Sequence, residues 1–282
     1  MPLSAGKIRK APAAMTAVDF TQFVEELARK SGEAILPFFR TAIGAEDKSK
    51  GGVFDPVTEA DRAAEAVMRR MILDTFPNHG LIGEEFGDQH VTAEYCWVLD
   101  PIDGTKSFVS GMPVWGTLIG LTHNRRPCYG MMHQPFTREA FTGDCEKAEW
   151  RGPDVNGKPT TRRLRTRACA DLAAATLMTT SPLLIPADLR PAFERVESQA
   201  RLSRYGGDCY AYCMLAAGHV DLVIEAALQP YDIVALIPIV QGAGGVITTW
   251  DGGDPSQGGA IIAAGDRRAH EAALKLLADA RA

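Results

Sequence analysis

The stretch Cys96-Trp-Val-Leu-Asp100-Pro-Ile-Asp103-Gly-Thr105 constrains this chain most. Its apolar start reads as a short buried strand. The run stops at Asp100-Pro101, and Gly104 interrupts the backbone pattern just beyond. Pro101 fixes φ between the acids and removes a donor. Asp100 and Asp103 therefore leave the end of a rigid element together, with the Thr105 hydroxyl behind them. Two acids this close repel unless a cation lies between them or one takes up a proton. The simpler alternative is a turn with solvated acids. Gly83-Glu84-Glu85 upstream and Tyr231-Asp232 downstream weigh against it, because they too set acids beside apolar runs.

The 282 residues suffice for one large domain or two modest ones with a sizeable core. A net charge of −5 argues against bulk nucleic-acid binding. No apolar run is long enough to span a bilayer, so no membrane partner is expected. The six cysteines lack zinc-site spacing, and Cys209 and Cys213 fit the buried face of a helix. Reduced thiols in the cytoplasm are the default expectation. Residues 1–15 hold Lys7, Arg9 and Lys10 without a hydrophobic signal core, and are expected to form a disordered leader.

Apolar spacing predicts a helix over Thr16 to Arg40, with Asp19 able to cap it. Lys48-Ser-Lys-Gly-Gly52 reads as a loop. Thr58, with Asp61 three residues on, is a capping-box-like start for a second helix. Leu81 to Glu85 reads as a short strand ending in two acids, with Glu85 expected to engage local backbone. Thr117–Thr122, Gly130–His133 and Ala140–Gly143 read as antiparallel strands. His123 and His133 are more often structural groups than catalysts in such settings. Trp150 to Arg167 is polar and basic, and is expected to connect the halves 16–155 and 156–282. Beyond it come a strand (Ala174–Thr179), a helix (Pro186–Gln199), a turn (Ser203–Asp208) and a helix from Cys209. A strand to Glu225, a helix opened by Asp232, strands at Val246–Trp250 and Ala260–Ala264, and a final helix complete the chain. The alternation argues for an α/β second half after an α+β first half.

Three segments carry a family resemblance. Asp100-Pro-Ile-Asp-Gly-Thr105 resembles the signature of the inositol monophosphatase superfamily of Mg²⁺-dependent phosphatases. Gly83-Glu-Glu85 resembles its upstream acidic motif. Tyr231-Asp232 with Gly242-Ala-Gly-Gly245 resembles its C-terminal motif, with Tyr in place of the usual Trp. The order and intervals match from about Phe20 to Ala278. The resemblance implies a layered αβαβα sandwich, a site between the halves and commonly a homodimer. It implies two or three metal ions held by Glu84, Asp100, Asp103, Asp232 and the Ile102 carbonyl, with Asp100 bridging two of them. It further implies that Thr105 and Glu84 orient a metal-activated water, that Asp61 supports the site, and that Lys48 lies on a loop that closes over it. Gly104 and Thr105 would open a helix whose amides hold phosphate. On chemistry alone, four acids without Cys or His suit Mg²⁺ or Mn²⁺ over Zn²⁺.

Within the superfamily, Gly104-Thr-Lys-Ser-Phe108, Gly111-Met-Pro-Val-Trp-Gly116, Gly206-Gly-Asp-Cys-Tyr-Ala-Tyr212 and Gln229-Pro-Tyr-Asp-Ile233 resemble the histidinol-phosphate phosphatase branch. Lys106 departs from the Thr common in inositol enzymes. Histidinol phosphate carries an amine and an imidazole, so its pocket needs acids outside the metal set. Asp208 and Glu225 are the candidates, although Asp208 could equally be a helix N-cap and Glu225 could equally meet inositol hydroxyls. The small phosphate ester is therefore expected to be histidinol phosphate, with inositol phosphate or another small phosphate of the superfamily as the alternative. A regulatory protein contacting RNA or a transcription complex is the alternative of another class.

Overall fold

The structure is a computed structural model that describes residues 17–41, 45–47 and 56–278. Lys48 and the leader lie outside the described residues. Helix α1 (Ala17–Ile35) starts ahead of Asp19 and buries Val24, Leu27, Ala28 and Ile35. Pro37 cannot continue it, so the expected run to Arg40 ends in a single 3₁₀ turn, Leu36–Phe38. Strands β1 (Ala45–Asp47) and β2 (Pro56–Thr58) form an antiparallel pair ahead of α2 (Glu59–Thr75).

Seven strands build the first sheet in chain order: β3 (Gly80–Gly83), β4 (Tyr95–Asp103), β5 (Gly116–His123), β6 (Arg126–Gln134), β7 (Glu139–Gly143), β8 (Ala148–Pro153) and β9 (Pro159–Arg163). Only β3 and β4 run parallel; the later neighbours pair antiparallel. The stretch Trp150 to Arg167, expected as a connection, instead supplies most of β8 and all of β9. Its polarity has a physical cause: β9 is an edge strand, and four of its five residues are exposed. Short helix α3 (Thr105–Val109) leaves the end of β4.

The second sheet holds β10 (Thr176–Thr179), β11 (Leu202–Tyr205), β12 (Leu222–Leu228), β13 (Val246–Thr249) and β14 (Gly259–Ala264) in the order β11-β10-β12-β14-β13. Half of the expected turn at Ser203–Asp208 belongs to β11, another edge strand with a solvated pattern. Helices α4 (Arg190–Glu197), α5 (Asp208–Ala216), α6 (Pro230–Ile233), α7 (Leu236–Gly242) and α8 (Arg267–Ala278) complete the chain. Pro238 is tolerated in α7 because it lies in the first turn, where its missing N–H has no intrahelical partner to lose.

Three apolar clusters define the layers. Helices α1 and α2 pack on the outer face of the first sheet through Leu27, Met68, Ile72, Trp97, Leu99 and Ile119. Helices α5 and α7 fill the space between the sheets, where Leu118 and Phe141 of one meet Val223 and Ile261 of the other through Tyr212, Leu215 and Ile239. Helices α4 and α8 cover the far face of the second sheet through Phe193, Ala273 and Leu277. The αβαβα sandwich is thus present. No helix of the described residues is long and apolar enough to cross a membrane.

Candidate active site

Strand β4 does not end at Asp100 but continues to Asp103. Opposite it, Asp100 pairs with Leu118 and Asp103 with Gly116, so three steps on β4 face two on β5. This is a β-bulge. In a regular strand, residues three apart point to opposite faces. The extra residue turns Asp103 to the side of Asp100, and Pro101 sits where the ladder is already interrupted. Asp232 joins them from α6: carboxylate oxygens of Asp100, Asp103 and Asp232 all lie within 4.8 Å of one another.

Each of the three acids is tied by a backbone amide. The Ile102 N–H donates to Asp100 Oδ1 at 3.1 Å. The Cys209 N–H donates to Asp103 Oδ2 at 2.6 Å, so a β4 acid holds the first turn of α5. The Gln229 N–H donates to Asp232 Oδ2 at 2.7 Å within a capping box. The helix expected to open at Asp232 therefore opens at Pro230, with Asp232 in its first turn.

Burial pushes the Asp100 carboxyl well above the usual range, reinforced by the charges of Glu84, Asp103, Asp232 and Asp61. Asp103 is raised likewise by burial, then by Asp208 and Asp232, against the opposing Cys209 bonds. The Glu84 charge acts on Asp100 because β3 and β4 are parallel and in register: Gly83 pairs with Leu99, and each acid is the next residue along the chain. The strand expected over Leu81–Glu85 stops at Gly83, and Glu84 and Glu85 lie in the turn. The Glu85 carboxylate stands 3.4 Å from Arg62 Nε on α2. Asp61 is buried in the first turn of α2.

Gly104 takes φ 88°, a left-handed conformation suited to glycine, and precedes α3. The Thr105 hydroxyl donates to the carbonyl of buried Ile102 at 3.2 Å. A Cβ on Gly104 would lie 3.0 Å from the Asp208 carboxyl carbon. Asp208 is not the N-cap of α5: Gly207 holds that position, without a side-chain cap. Asp208 Oδ2 instead accepts from Ser107 Oγ at 2.8 Å. Burial raises its carboxyl, against Ser107, Lys106 and Thr180. Glu225, buried on β12, accepts from Thr180 N–H at 2.6 Å, Thr180 Oγ1 at 2.9 Å and Thr179 Oγ1 at 3.2 Å. Burial pushes it up to about 7 despite these bonds.

Ser107, Thr179 and Thr180 were missed in the sequence. The signal for the threonines was their place at the end of an apolar strand, the same cue that marks Asp100. Tyr212 was also missed as a site neighbour. Its buried hydroxyl finds no hydrogen-bond partner among the described residues, and the charges of Glu225, Asp103 and Asp232 act on it. Lys48 cannot be placed, lying outside the described residues.

Three carboxylates converge, and no thiol or imidazole is among the grouped ligand atoms, a set that fits a hard divalent cation. Their burial among like charges gives such a cation something to neutralise. Known proteins resemble this chain over most of its length. The chloroplastic bifunctional phosphatase IMPL2 of Arabidopsis thaliana is 41% identical over 263 residues, covering 89% of this chain and 72% of that protein. A histidinol-phosphatase of Chlorobaculum parvum is 35% identical over 79% of this chain and 83% of its own length. The solved inositol monophosphatase of Zymomonas mobilis superposes with a TM-score of 0.80 at 36% identity, covering 94% of this chain and all of that one. The profile of the inositol monophosphatase family matches residues 17–282, from the start of α1 to the last residue, and the chain belongs to that family of phosphatases.

Proposed function

We propose that this phosphatase hydrolyses L-histidinol phosphate to L-histidinol and phosphate, using Mg²⁺ held by Glu84, Asp100, Asp103, Asp232 and the Ile102 carbonyl. The observation that carries the substrate reading is the position of Asp208. It is a largely buried acid, bonded to Ser107 and packed against Gly104, outside the three converging carboxylates. Glu225 adds a second acid: the charge of Asp208 acts on it, and both carboxyls engage Thr180. Two acids beside the phosphate end suit an ester bearing an amine and an imidazole. The name of the Chlorobaculum parvum relative supports the same substrate.

Bound Mg²⁺ would lower the pKa of water and offset the charge of the phosphate. The protein's own groups supply the orientation. Thr105 Oγ1 commits its proton to the Ile102 carbonyl, leaving its lone pairs to accept from the attacking water. Glu84 is the acid nearby that can take that proton. The amides around Gly104 and Thr105, at the unsatisfied start of α3, would hold phosphate oxygens. Asp208 and Glu225 would anchor the cationic end of the alcohol, whose leaving oxygen would take up the proton that Glu84 receives from the water.

Inositol phosphate is the second reading. The Glu225 acceptor fits hydroxyls as well as amines, and the Zymomonas mobilis structure bears that name. Phosphate release with Mg²⁺ from histidinol phosphate and inositol 1-phosphate separates them. The expected preference for histidinol phosphate is ~100-fold in kcat/KM, about 2.7 kcal/mol of differential transition-state binding. An equal or reversed ratio rejects the substrate and leaves the metal chemistry standing.

A further inference from the structure

Helix α2 carries a second buried acid to which the hydrolytic chemistry gives no task. Glu65 lies one turn after Asp61 and is fully buried. Its Oε2 accepts the Glu85 N–H at 2.8 Å, and its Oε1 accepts the Phe86 N–H at 3.2 Å. Arg69 Nε donates to the same Oε1 at 2.6 Å, and Arg69 Nη2 donates to the Gly87 carbonyl. On the other side Gly83 approaches so closely that a Cβ there would sit 2.2 Å from Glu65 Oε1. The backbone from Gly83 to Gly87 is thus wrapped around one carboxylate, and Glu84 is the residue between the closest approach and the first hydrogen bond.

Glu84 is the foremost charge acting on Asp100, ahead of Asp103 and Asp232. Four mutually repelling acids stay together without their cation only if the backbone beneath each is held. The β-bulge holds Asp100 and Asp103, and a capping box holds Asp232. For Glu84 the corresponding hold is Glu65 with Arg69. An ionised acceptor makes backbone bonds roughly twice as strong as a neutral one, and the Arg69 guanidinium offsets the burial of the charge. Because Asp61 stands on the same helix one turn earlier, α2 also keeps its own acid and the Glu84 turn at a constant spacing.

We propose that Glu65 and Arg69 are positioning residues that fix the Glu84 turn and thereby set the affinity of the site for a divalent cation; this rests on reading Glu84, Asp100, Asp103 and Asp232 as the metal set. The test uses the full chain stripped with chelator, as wild type, Glu65→Gln, Arg69→Met, Arg69→Lys and Asp100→Asn. Mn²⁺ is titrated with free ion counted by electron paramagnetic resonance. Urea unfolding of the same proteins is followed in chelator. Glu65→Gln and Arg69→Met are expected to weaken Mn²⁺ binding ~10- to 100-fold, as loss of an outer-shell partner does. Arg69→Lys keeps the charge but cannot span Glu65 and Gly87 together, and should fall between them and wild type. At saturating metal, KM for the phosphate ester should match wild type. Weakened folding with Mn²⁺ affinity within about twofold of wild type would reduce Glu65 and Arg69 to a purely structural role and overturn the proposal. If Glu65→Gln does not fold, Arg69→Met, which leaves both backbone bonds to Glu65, decides by the same criterion. Failure of wild type to bind Mn²⁺, or binding unchanged in Asp100→Asn, would instead overturn the metal reading on which the proposal rests.

Discussion

Asp208 holds φ at 43°, a left-handed conformation that costs a non-glycine residue about 1–2 kcal/mol. It does not recover that cost by capping α5, since Asp103 takes the Cys209 amide instead. Its carboxylate is directed to Ser107 and lies against Gly104. Asparagine tolerates the same conformation and keeps an oxygen for Ser107, so Asp208→Asn removes charge with little change in shape. On histidinol phosphate, kcat/KM should fall ~10- to 100-fold, the value of a charged hydrogen bond of about 1.5–3 kcal/mol. On a neutral aryl phosphate the loss should stay below about threefold. Parallel steady-state assays on the two substrates check this, and equal losses would remove Asp208 from substrate recognition.

Elements differ in how plainly they were written in the chain. Strands β4, β5 and β6 have buried centres, and their apolar runs announced them. Strands β9 and β11 are edges whose side chains face water, so Pro159–Arg163 and Leu202–Tyr205 looked like loop and turn. The acids were legible by type and interval. The bulge that brings Asp100 and Asp103 to one side was not, because register belongs to a pair of strands. Glu65 was passed over for the same reason: its partners Glu85 and Phe86 lie 20 and 21 positions away.

The contact of β6 with α1 carries a pH consequence at this scale. His133 sits under α1, bonded to the Ala28 backbone, and burial lowers its pKa from 6.5 to about 4. A depressed histidine binds protons more readily in the unfolded chain. Its stabilising contribution is therefore complete above about 6.5 and is lost as pH falls towards about 4, with a slope approaching ~1.4 kcal/mol per pH unit. His133→Gln should remove that slope. The difference in urea stability between wild type and variant, measured from pH 7.5 to 4.5, isolates the effect because carboxylate contributions are common to both. A pH-independent difference would exclude His133 as the titrating group.

At the scale of the molecule, the site holds the layers together and also strains them. Asp103 bonds α5, Ser107 of α3 bonds Asp208, and Asp232 arrives from α6, so the first sheet and the second half of the chain meet at the carboxylates. Without a cation, burying Asp100 and Asp103 among like charges destabilises the fold. The sign follows from their raised carboxyls. An acid that binds its proton more tightly when folded adds stability as pH falls, so this contribution in chelator should grow from pH 7.5 towards 5. Asp100→Asn removes one charge from the repelling set while keeping the shape. In chelator at pH 7.5 it should be at least as stable as wild type. Mg²⁺ reverses the order, because a ligand at 100 times its Kd adds about 2.7 kcal/mol to a fold that binds it and little to one that does not. Thermal unfolding of both proteins with chelator and with Mg²⁺ provides the check. The expected result is a large Mg²⁺-induced rise in Tm for wild type and a small one for Asp100→Asn. Equal rises would mean that the cation binds elsewhere, and a chelated variant well below wild type would mean that Asp100 holds the bulge through its Ile102 bond more than it repels its neighbours.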